Sequence, residues 1–523
     1  MKRLIKYALV LLSACCAGLI LALMLPLKSA PLTGVARDYS ISHVNIVNTT
    51  TGSVSVDMNV IVSGGRIIKI VPGADLQSAS GFTEIPARDK FLIPGLWDMH
   101  THSLQLSPQL HHPLFLRYGI TAVRDMSGCL AETDSYWACP ADRSLWETEA
   151  VQAQRVSPRY PLQSSYQTNG GNEVPDGFPD FFRLNTASDA RELVDFYIGQ
   201  GVDFIKTYSE LNPEQYGNLS RHAMAANISL AGHKPLTVSL RQALDTPMAS
   251  IEHGRLFAFE CFRGIESFRA MDNPLSHYDA QFMRELMDGQ VEEKCPAVME
   301  AMASSSTSWV PTLTTLKMSA MANDASFRQD KRLDTVPYLV RKLMWEPDIG
   351  RASGNGYDRQ GRFVHAQFYE MAGEHVRRAH AAGVRVLAGT DNIDTWVFTG
   401  ASLHDELAML VDAGLSPLEA LQAATLHPAR FAQLESEFGT IEAGQRADLV
   451  LLNANPLVDI RNTSDIEGVM FEGQYFDRQA LDTLEAYAIE MAQSFRVNLR
   501  LLFDMFSSAP MRAQLALSLI HIS

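Results

Sequence analysis

Short apolar stretches that alternate with polar residues occur in two separate parts of the chain. Between Ser40 and Val71, the stretches VNIVN, VSVDMNVIV and RIIKIV are separated by Thr-Thr-Gly and Gly-Gly turns. This is the pattern of strands connected by tight turns. A similar pattern returns at Ala447–Phe476. The two stretches predict one small β-domain that is built from both ends of the chain.

The middle of the chain alternates apolar runs with longer segments of helical periodicity, such as Ala187–Gln200. This alternation is typical of parallel βαβ units. Eight such units predict a (β/α)8 barrel, whose active site lies at the C-terminal ends of the strands. The eight candidate strands are LWDMHTH (96–102), GITAVRDM (119–126), VSPRYPLQSS (156–165), VDFIKTY (202–208), SLAGHK (229–234), ASIEHG (249–254), SWVPTLT (308–314) and VRVLAGTD (384–391).

The stretch Phe91–Ser103, FLIPGLWDMHTHS, is the most informative part of this pattern. A Pro-Gly pair breaks an approach strand, and a second apolar strand then leads into His100 and His102. Side chains two residues apart on a strand point to the same face. Both imidazoles are therefore expected in one pocket, where they can bind a single divalent ion.

Polar residues also follow the later apolar runs. Each has an ordinary alternative, as a lysine at a strand end, a hydrogen-bonded histidine or a helix N-cap. Their joint occurrence at successive strand ends predicts a metal site, whereas His111, His112 and His427 have no such placement and are interpreted as structural. Tyr208 lies two residues beyond Lys206, on the same strand face, and is a candidate donor to a substrate. The candidate metal ligands are His100, His102, Lys206, His233, His253 and Asp391.

These patterns divide the chain into five parts. The long helical insert is expected to cover the metal pocket, with a peripheral decoration as the alternative. For the C-terminal tail, docking on the barrel, pairing with another subunit and lying on a membrane all remain open. The parts are a signal or anchor segment (1–30), the first part of a composite β-sandwich (36–93), the barrel (94–439) with its insert at about 257–373, the second part of the sandwich (440–478) and a helical tail (479–523).

Composition narrows the function classes. The 523 residues exceed one ordinary domain, and 46% hydrophobic with 20% charged residues is ordinary for a globular protein. The formal net charge of −15 disfavours nucleic acid as a partner, because binding phosphates requires a basic face.

The N-terminus has the features of a targeting segment, since Lys2, Arg3 and Lys6 precede the uncharged apolar run Ala8–Leu25. The run is long for a signal peptide and close to the minimum for a membrane span. We expect an uncleaved anchor in the inner membrane; a lipoprotein processed at Cys15 and a cleaved signal are the alternatives. In each case the main body is exported to the periplasm.

Cysteine usage agrees with export. Cys129, Cys139, Cys261 and Cys295 form two sequence-local pairs, and an oxidising compartment permits disulfides. Four cysteines allow three connectivities. We predict the local one, 129–139 with 261–295.

Several of these motifs resemble the amidohydrolase superfamily, and most closely its branch of imidazolonepropionase-like and Xaa-Pro dipeptidase (prolidase) enzymes. The motifs are PGLWDMHTH, GVDFIKTYS, AGHK, IEHG, AGTD and the late run LQAATLHPARF…GTIEAGQRADLVLL. The resemblance covers Val44 to Arg478. It implies a distorted (β/α)8 TIM barrel with a composite β-sandwich and a binuclear divalent metal centre, with zinc as the expected metal.

The resemblance implies a role for each candidate residue. A free lysine is a cation and would repel two divalent ions, whereas its carbamate is an anion that can bridge them. The implied roles are that His100 and His102 hold one metal, His233 and His253 hold the other, N6-carboxylated Lys206 bridges the two ions, and Asp391 binds a metal and acts as the catalytic base.

The expected function is metal-dependent hydrolysis of C–N bonds in small amides or peptides by hydroxide that the metals activate. A prolidase-like dipeptidase is the first expectation. A cyclic-amide hydrolase, a lactonase or a phosphotriesterase-type hydrolase is the alternative among enzymes, and a non-catalytic metal-binding surface protein is the alternative of another class. The expected partners are a small amide or peptide substrate and, through the N-terminal segment, a membrane; homo-oligomerisation stays open.

Overall fold

The computed structural model describes residues 7, 23, 25–32, 38–75, 81–171 and 174–520, without the side chains of 516–520. This part of the chain has a mixed α/β fold. Its strands, in chain order, are β1 (Tyr39–Val47), β2 (Val54–Ser63), β3 (Arg66–Pro72), β4 (Thr83–Pro86), β5 (Phe91–Pro94), β6 (Leu96–Thr101), β7 (Ile120–Asp125), β8 (Arg159–Gln163), β9 (Phe204–Thr207), β10 (Ser229–Gly232), β11 (Met248–Glu252), β12 (Ser308–Val310), β13 (Leu449–Leu452), β14 (Ile466–Phe471) and β15 (Gln474–Asp477).

One sheet combines strands from both ends of the chain. Its order is β15-β14-β13-β5-β1-β2-β3, and β4 pairs with β1. β5 joins the two halves, because it runs parallel to β1 and antiparallel to β13, where Ile93 faces Val450. Alternate side chains such as Val44, Val60 and Leu449 are buried in its own core. This is the composite arrangement that the two β-rich stretches predict.

Two parallel sheets form the centre of the molecule, with the orders β6-β7-β8 and β12-β11-β10-β9. Isolated parallel bridges connect them, since Ser164 pairs with Phe204 and Thr168 with Thr207. Seven of the eight candidate strands are therefore strands in the structure. Because all seven are parallel, their C-terminal ends lie on the same side of the molecule.

The eighth candidate strand, 384–391, is not a regular strand, so this prediction was wrong in detail. Val386 makes one parallel bridge to Trp309 of β12. On the other side, the amide of Met99 donates to the Ala388 carbonyl at 2.9 Å. The segment thus lies between β12 and β6, but its ladder is interrupted, and the backbone leaves the extended conformation at Asp391, where φ is 63°.

Helices surround these sheets, and the helix predicted at Ala187–Gln200 is confirmed at Ala187–Gly199, where Thr186 forms a capping box with Asp189. Five 3-10 segments (Asp180–Arg183, Pro274–His277, Phe327–Gln329, Lys331–Thr335 and Ile460–Ser464) and a π-helical turn (Arg341–Trp345) complete the described elements. The α-helices before the tail are Ser107–Leu110, His112–Arg117, Pro140–Val151, Ala187–Gly199, Pro213–Ala225, Leu240–Leu244, Leu256–Glu260, Ile265–Arg269, Ala280–Asp288, Lys294–Ala303, Leu313–Ala320, Tyr338–Val340, Glu346–Asn355, His365–Ala381, Ala401–Asp412, Pro417–Ala423 and Leu426–Phe431.

The C-terminal tail forms three helices, Arg478–Gln493, Phe495–Ser507 and Ala509–Ile520. Their apolar residues, among them Tyr487 and Leu501, share a buried cluster with Leu104 and Leu110. The tail therefore docks on the body of the same chain, which is the first of the three alternatives that the sequence leaves open.

Both predicted disulfides are present, Cys129–Cys139 with a Cα–Cα distance of 5.3 Å and Cys261–Cys295 with 5.0 Å. The predicted targeting run Ala8–Leu25 lies outside the described residues, apart from its positions 23 and 25. Across the described ranges, no helix has the length and apolar character that crossing a membrane requires.

Candidate metal centre

All seven residues that the sequence singles out line one cavity of about 380 Å³. They come from the C-terminal ends of β6, β9, β10 and β11 and from the irregular segment beside β6. The fold thus brings together positions that are up to 291 residues apart. The seven residues are His100, His102, Lys206, Tyr208, His233, His253 and Asp391.

Asp391 is the point on which three of the histidines converge. Its Oδ1 lies 3.0 Å from Nε2 of His102 and 3.2 Å from Nε2 of His100. Its Oδ2 lies 3.7 Å from Nδ1 of His253. As expected for alternate positions near a strand end, His100 and His102 reach the same carboxylate.

His253 and His233 form the other side of the cluster. Their Nε2 atoms are 2.8 Å apart. Nδ1 of His233 lies 2.6 Å from the Ser209 hydroxyl, and Nδ1 of His253 lies 2.9 Å from the Thr312 hydroxyl. With Nδ1 beside a hydroxyl in each ring, the two Nε2 atoms are left facing each other.

Two of these residues have left-handed backbone conformations, with φ of 74° at His253 and 63° at Asp391. Residues other than glycine pay about 1–3 kcal/mol for such conformations, which cluster at functional sites. Both side chains thus enter the cavity from strained backbone positions.

Lys206 and Tyr208 lie together in the same cavity. Lys206 is buried at 2% exposure, and its Nζ lies 5.8 Å from the centroid of the Tyr208 ring. That ring stacks on His233 with centroids 4.1 Å apart. The prediction that Tyr208 shares a face with Lys206 is thus consistent with its position.

Burial and neighbouring side chains together set the pKa values of the cluster. Burial lowers the pKa of His102 to about 4, assisted by the Lys206 cation, and that of His253 to about 3. Both imidazoles are therefore neutral at pH 7 and keep a lone pair for a metal. Burial alone would raise the pKa of Asp391, but His100 and His102 outweigh it and hold this pKa well below its ordinary value.

The donor set fits a divalent ion. Metal-ligand atoms of His100, His253 and Asp391 all lie within 4.8 Å of one another. Nε2 of His100 is buried and makes no hydrogen bond among the described residues, although Asp391 is in contact with it. Imidazole nitrogens together with a carboxylate are typical ligands of zinc and similar ions.

Glu252 contacts the candidate site but was not selected from the sequence. Its Oε2 lies 2.9 Å from Nδ1 of His100, and Nη2 of Arg124 lies 2.8 Å from its Oε1. All three side chains are buried, and the Arg124 cation helps to hold the pKa of Glu252 at about 2 against the effect of burial. A carboxylate in this place fixes the orientation of a ligand histidine. The available signal was its position inside IEHG, directly before His253.

The remaining cavity wall comes from parts of the chain for which the sequence assigned no site residue. Trp137 approaches His102, with ring centroids 6.3 Å apart. The insert contributes Met344, from the π-helical turn, so the predicted cover reaches the pocket. Further lining residues are Tyr136, Gln167, Ile393, Asp394, Met511 and Gln514, the last two from the tail.

The three histidines interpreted as structural lie outside this cavity. Nδ1 of His111 lies 2.9 Å from the Ser107 hydroxyl, and Nε2 of His112 lies 2.8 Å from that of Tyr160. His427 borders a different depression of the surface.

Comparison with known sequences gives a family for part of the chain. Residues 373–475 match the amidohydrolase family. A stretch of 144 residues is 31% identical to 5-methylthioadenosine/S-adenosylhomocysteine deaminase of Moorella thermoacetica, covering 22% of this chain and 32% of that protein. The chain thus spans about a third of the length of this relative.

Solved structures share the fold over most of the chain. Bottromycin amidohydrolase has a TM-score of 0.67 at 22% identity, covering 91% of this chain and 93% of its own. A Xaa-Pro dipeptidase with bound methionine in its active site has a TM-score of 0.58 at 19% identity, covering 84% and 100%. The family match is thus limited to residues 373–475, and the structural neighbours that share the fold are prolidase-like and other amidohydrolases.

Proposed function

We propose that this protein is a metal-dependent hydrolase of C–N bonds in small amides or peptides, built on a distorted (β/α)8 barrel. The barrel proposal is supported by the two parallel sheets, the bridges between them and the 384–391 segment, which hydrogen-bonds to β12 and β6. The observation that carries the function is the convergence of four histidines, one lysine and one aspartate in a single cavity.

The chemistry is divided among these side chains. His100 and His102 would hold one divalent ion, His233 and His253 the second, and Lys206, carboxylated at Nζ, would bridge them. When bound, such a pair lowers the pKa of water toward about 7 and polarises a carbonyl oxygen.

Asp391 is the group that moves the proton. Its carboxylate is anionic at neutral pH because the neighbouring histidines hold its pKa low. It accepts the proton of the attacking water and returns it to the leaving nitrogen, which is general acid–base catalysis. Tyr208, beside Lys206, donates a hydrogen bond to the substrate.

The substrate class we favour is a dipeptide or an N-acyl amino acid. A Xaa-Pro dipeptidase shares the fold, and a cavity of about 380 Å³ is within the range of small-molecule sites. The family match and the deaminase relative are also consistent with cleavage of a C–N bond.

Metal analysis combined with an assay tests this function. Purified protein from zinc-supplemented expression should contain close to two divalent ions per chain. It should hydrolyse members of a panel of dipeptides and N-acyl amino acids and lose this activity on chelation. Fewer than one ion per chain in folded protein, or a metal-loaded protein inactive on the whole panel, would contradict the proposal.

Export of the main body is part of the same proposal. The two disulfides support it, because such bonds persist in oxidising compartments. A reporter enzyme that is active only outside the cytoplasm, fused to the C-terminus, should be active; an inactive but stable fusion would argue for a cytoplasmic body.

A further inference from the structure

A second cavity, of about 60 Å³, lies directly beside the metal cavity. Tyr136, Met344 and Ile393 line both cavities, so they form the wall between them. Met344 is an unbranched and flexible side chain, which can shift to connect the two spaces. The second cavity is thus within reach of a molecule bound at the metal centre.

The lining of this second cavity is uncharged. None of the described residues around it is Lys, Arg, Asp or Glu. His111 is the one imidazole in this lining, and burial lowers its pKa to about 4, so it is neutral. A charged group would lose its hydration here without an opposite charge to compensate for it. The apolar lining includes Leu104, Leu110, Val336, Val340, Val397 and Leu501.

The size of the cavity limits what it can hold. In a cavity of this kind one water molecule needs about 10–15 Å³, so about 60 Å³ accommodates roughly four to six groups of the size of a water or a methyl group. The space therefore suits a branched aliphatic group of a few carbons better than an aromatic ring.

The cavity is built by five separate parts of the chain, which include the helical insert and the tail. Leu104 follows β6, Val336 and Val340 belong to the helical insert, and Leu501 comes from the docked tail. The insert and the tail thus complete a compartment that the central strands alone would leave open.

We propose that this compartment is a substrate subsite that receives the small aliphatic side chain of a residue next to the scissile bond. The inference rests on the proposed function and narrows it to amides of Ala-, Val- or Leu-like residues. Specificity then comes from apolar contacts, where one methylene changes kcat/KM by about 10–200-fold.

Two dipeptide series test the subsite on the metal-loaded enzyme, one varied at the N-terminal residue and one at the C-terminal residue. In one of the series, kcat/KM should rise at least 10-fold from Gly to Val or Leu and fall again at Phe. Titration calorimetry of the same dipeptides should give the same order of affinity. This order can be read even if no bond is cleaved, so loss of the proposed function is distinguishable from loss of the subsite.

Two substitutions at Val340, which lines only the second cavity, sharpen the test. Val340→Phe fills the space, so discrimination of Leu over Gly should fall at least 10-fold relative to the wild type. Val340→Ala enlarges it and should move the optimum toward larger side chains. Leu343→Phe is the matched control, because Leu343 is 57% exposed on the same segment.

Two results would overturn the subsite. One is equal affinity for Gly, Val and Leu in both series. The other is a folded Val340→Phe protein, judged by its thermal unfolding, that discriminates among side chains as the wild type does.

Discussion

Asp391 and Lys206 line the same cavity, but substitutions at these two positions should impair the protein in different ways. Asp391 contacts three histidines, whereas the proposed task of Lys206 is to supply an anionic bridge. An uncharged side chain at position 206 cannot do this. We therefore expect Lys206→Ala to lose at least one metal ion and nearly all turnover, measured by elemental analysis and by the dipeptide assay.

A matched comparison separates metal loss from loss of the proton carrier. Asp391→Asn should keep much of the metal and lose about 10²–10⁴ in rate. A small carboxylic acid added to Lys206→Ala should restore part of its activity, and should do nothing for Asp391→Asn. If Lys206→Ala keeps both ions and normal turnover, the lysine is not the bridge.

At the scale of elements, the loop closed by Cys129–Cys139 connects the tail to the metal cavity. It carries Trp137, which approaches His102. Its Ser135 hydroxyl donates to the Asp504 carbonyl at 2.9 Å, and the Ser508 hydroxyl donates to Asp134 at 3.0 Å. The disulfide therefore restrains one wall of the cavity and the site where the tail docks.

Replacing both cysteines of this loop by serine should have two effects. The free energy of unfolding should fall by roughly 3 kcal/mol, because the unfolded chain regains freedom. KM should rise several-fold with a smaller change in kcat, because Trp137 is no longer held near the substrate. Denaturant unfolding and steady-state kinetics measure the two effects.

The second disulfide provides the control. Cys261 and Cys295 close a longer loop, with a sequence separation of 34, and neither lines the metal cavity. Replacing them should cost roughly 4 kcal/mol and leave KM unchanged. An equal rise of KM in both double variants would show that the effect is general loosening of the fold.

The sequence predicts those features that depend on the local pattern of apolar and polar residues. Strand ends can be read from apolar runs, so His100, His233 and Asp391 are found without a structure. The role of Glu252 is harder to predict from the sequence, because it depends on a contact with Arg124, which lies on another strand. A charged residue inside a buried strand is recognised as functional only after that contact is known.

The residues that form the cavity wall cannot be predicted from the sequence for a different reason. Met344 and Gln514 belong to helical segments whose orientation is set by tertiary packing, and Nε2 of Gln514 is held 2.8 Å from the Tyr166 hydroxyl. Helical periodicity shows that such segments have an apolar face, but it does not show which part of the molecule this face packs against.

At the scale of the whole molecule, a buried charge cluster joins the composite sheet to the parallel strands. Nε of Arg159, on β8, lies 2.6 Å from Oδ2 of Asp448 beside β13. The same guanidinium pairs with Glu472 in the β14–β15 turn, and Arg446 also binds Glu472, at 2.9 Å. All but Arg446 are nearly buried. The relative position of the two sheets thus depends on one arginine that holds two carboxylates.

Arg159→Met should therefore destabilise the protein strongly. Methionine keeps much of the apolar contact with Phe438 and Phe471, whose ring centroids lie 5.1 and 5.0 Å from Cζ of Arg159. It leaves Asp448 and Glu472 buried with less compensation, and breaking a buried pair in this way costs about 3–5 kcal/mol. The control is Arg461→Met, whose partner Asp412 is exposed, so little change in stability is expected because exposed ion pairs contribute little.

Urea unfolding of both variants measures the difference, and metal content per folded chain serves as the second readout. Since none of the charged residues of this cluster lines the metal cavity, folded Arg159→Met should still bind its full complement of ions. A loss of metal that is as large as the loss of stability would mean that the sheet contact also shapes the metal centre. Equal, small destabilisation by both substitutions would mean that water reaches the cluster and that apolar packing alone orients the two sheets.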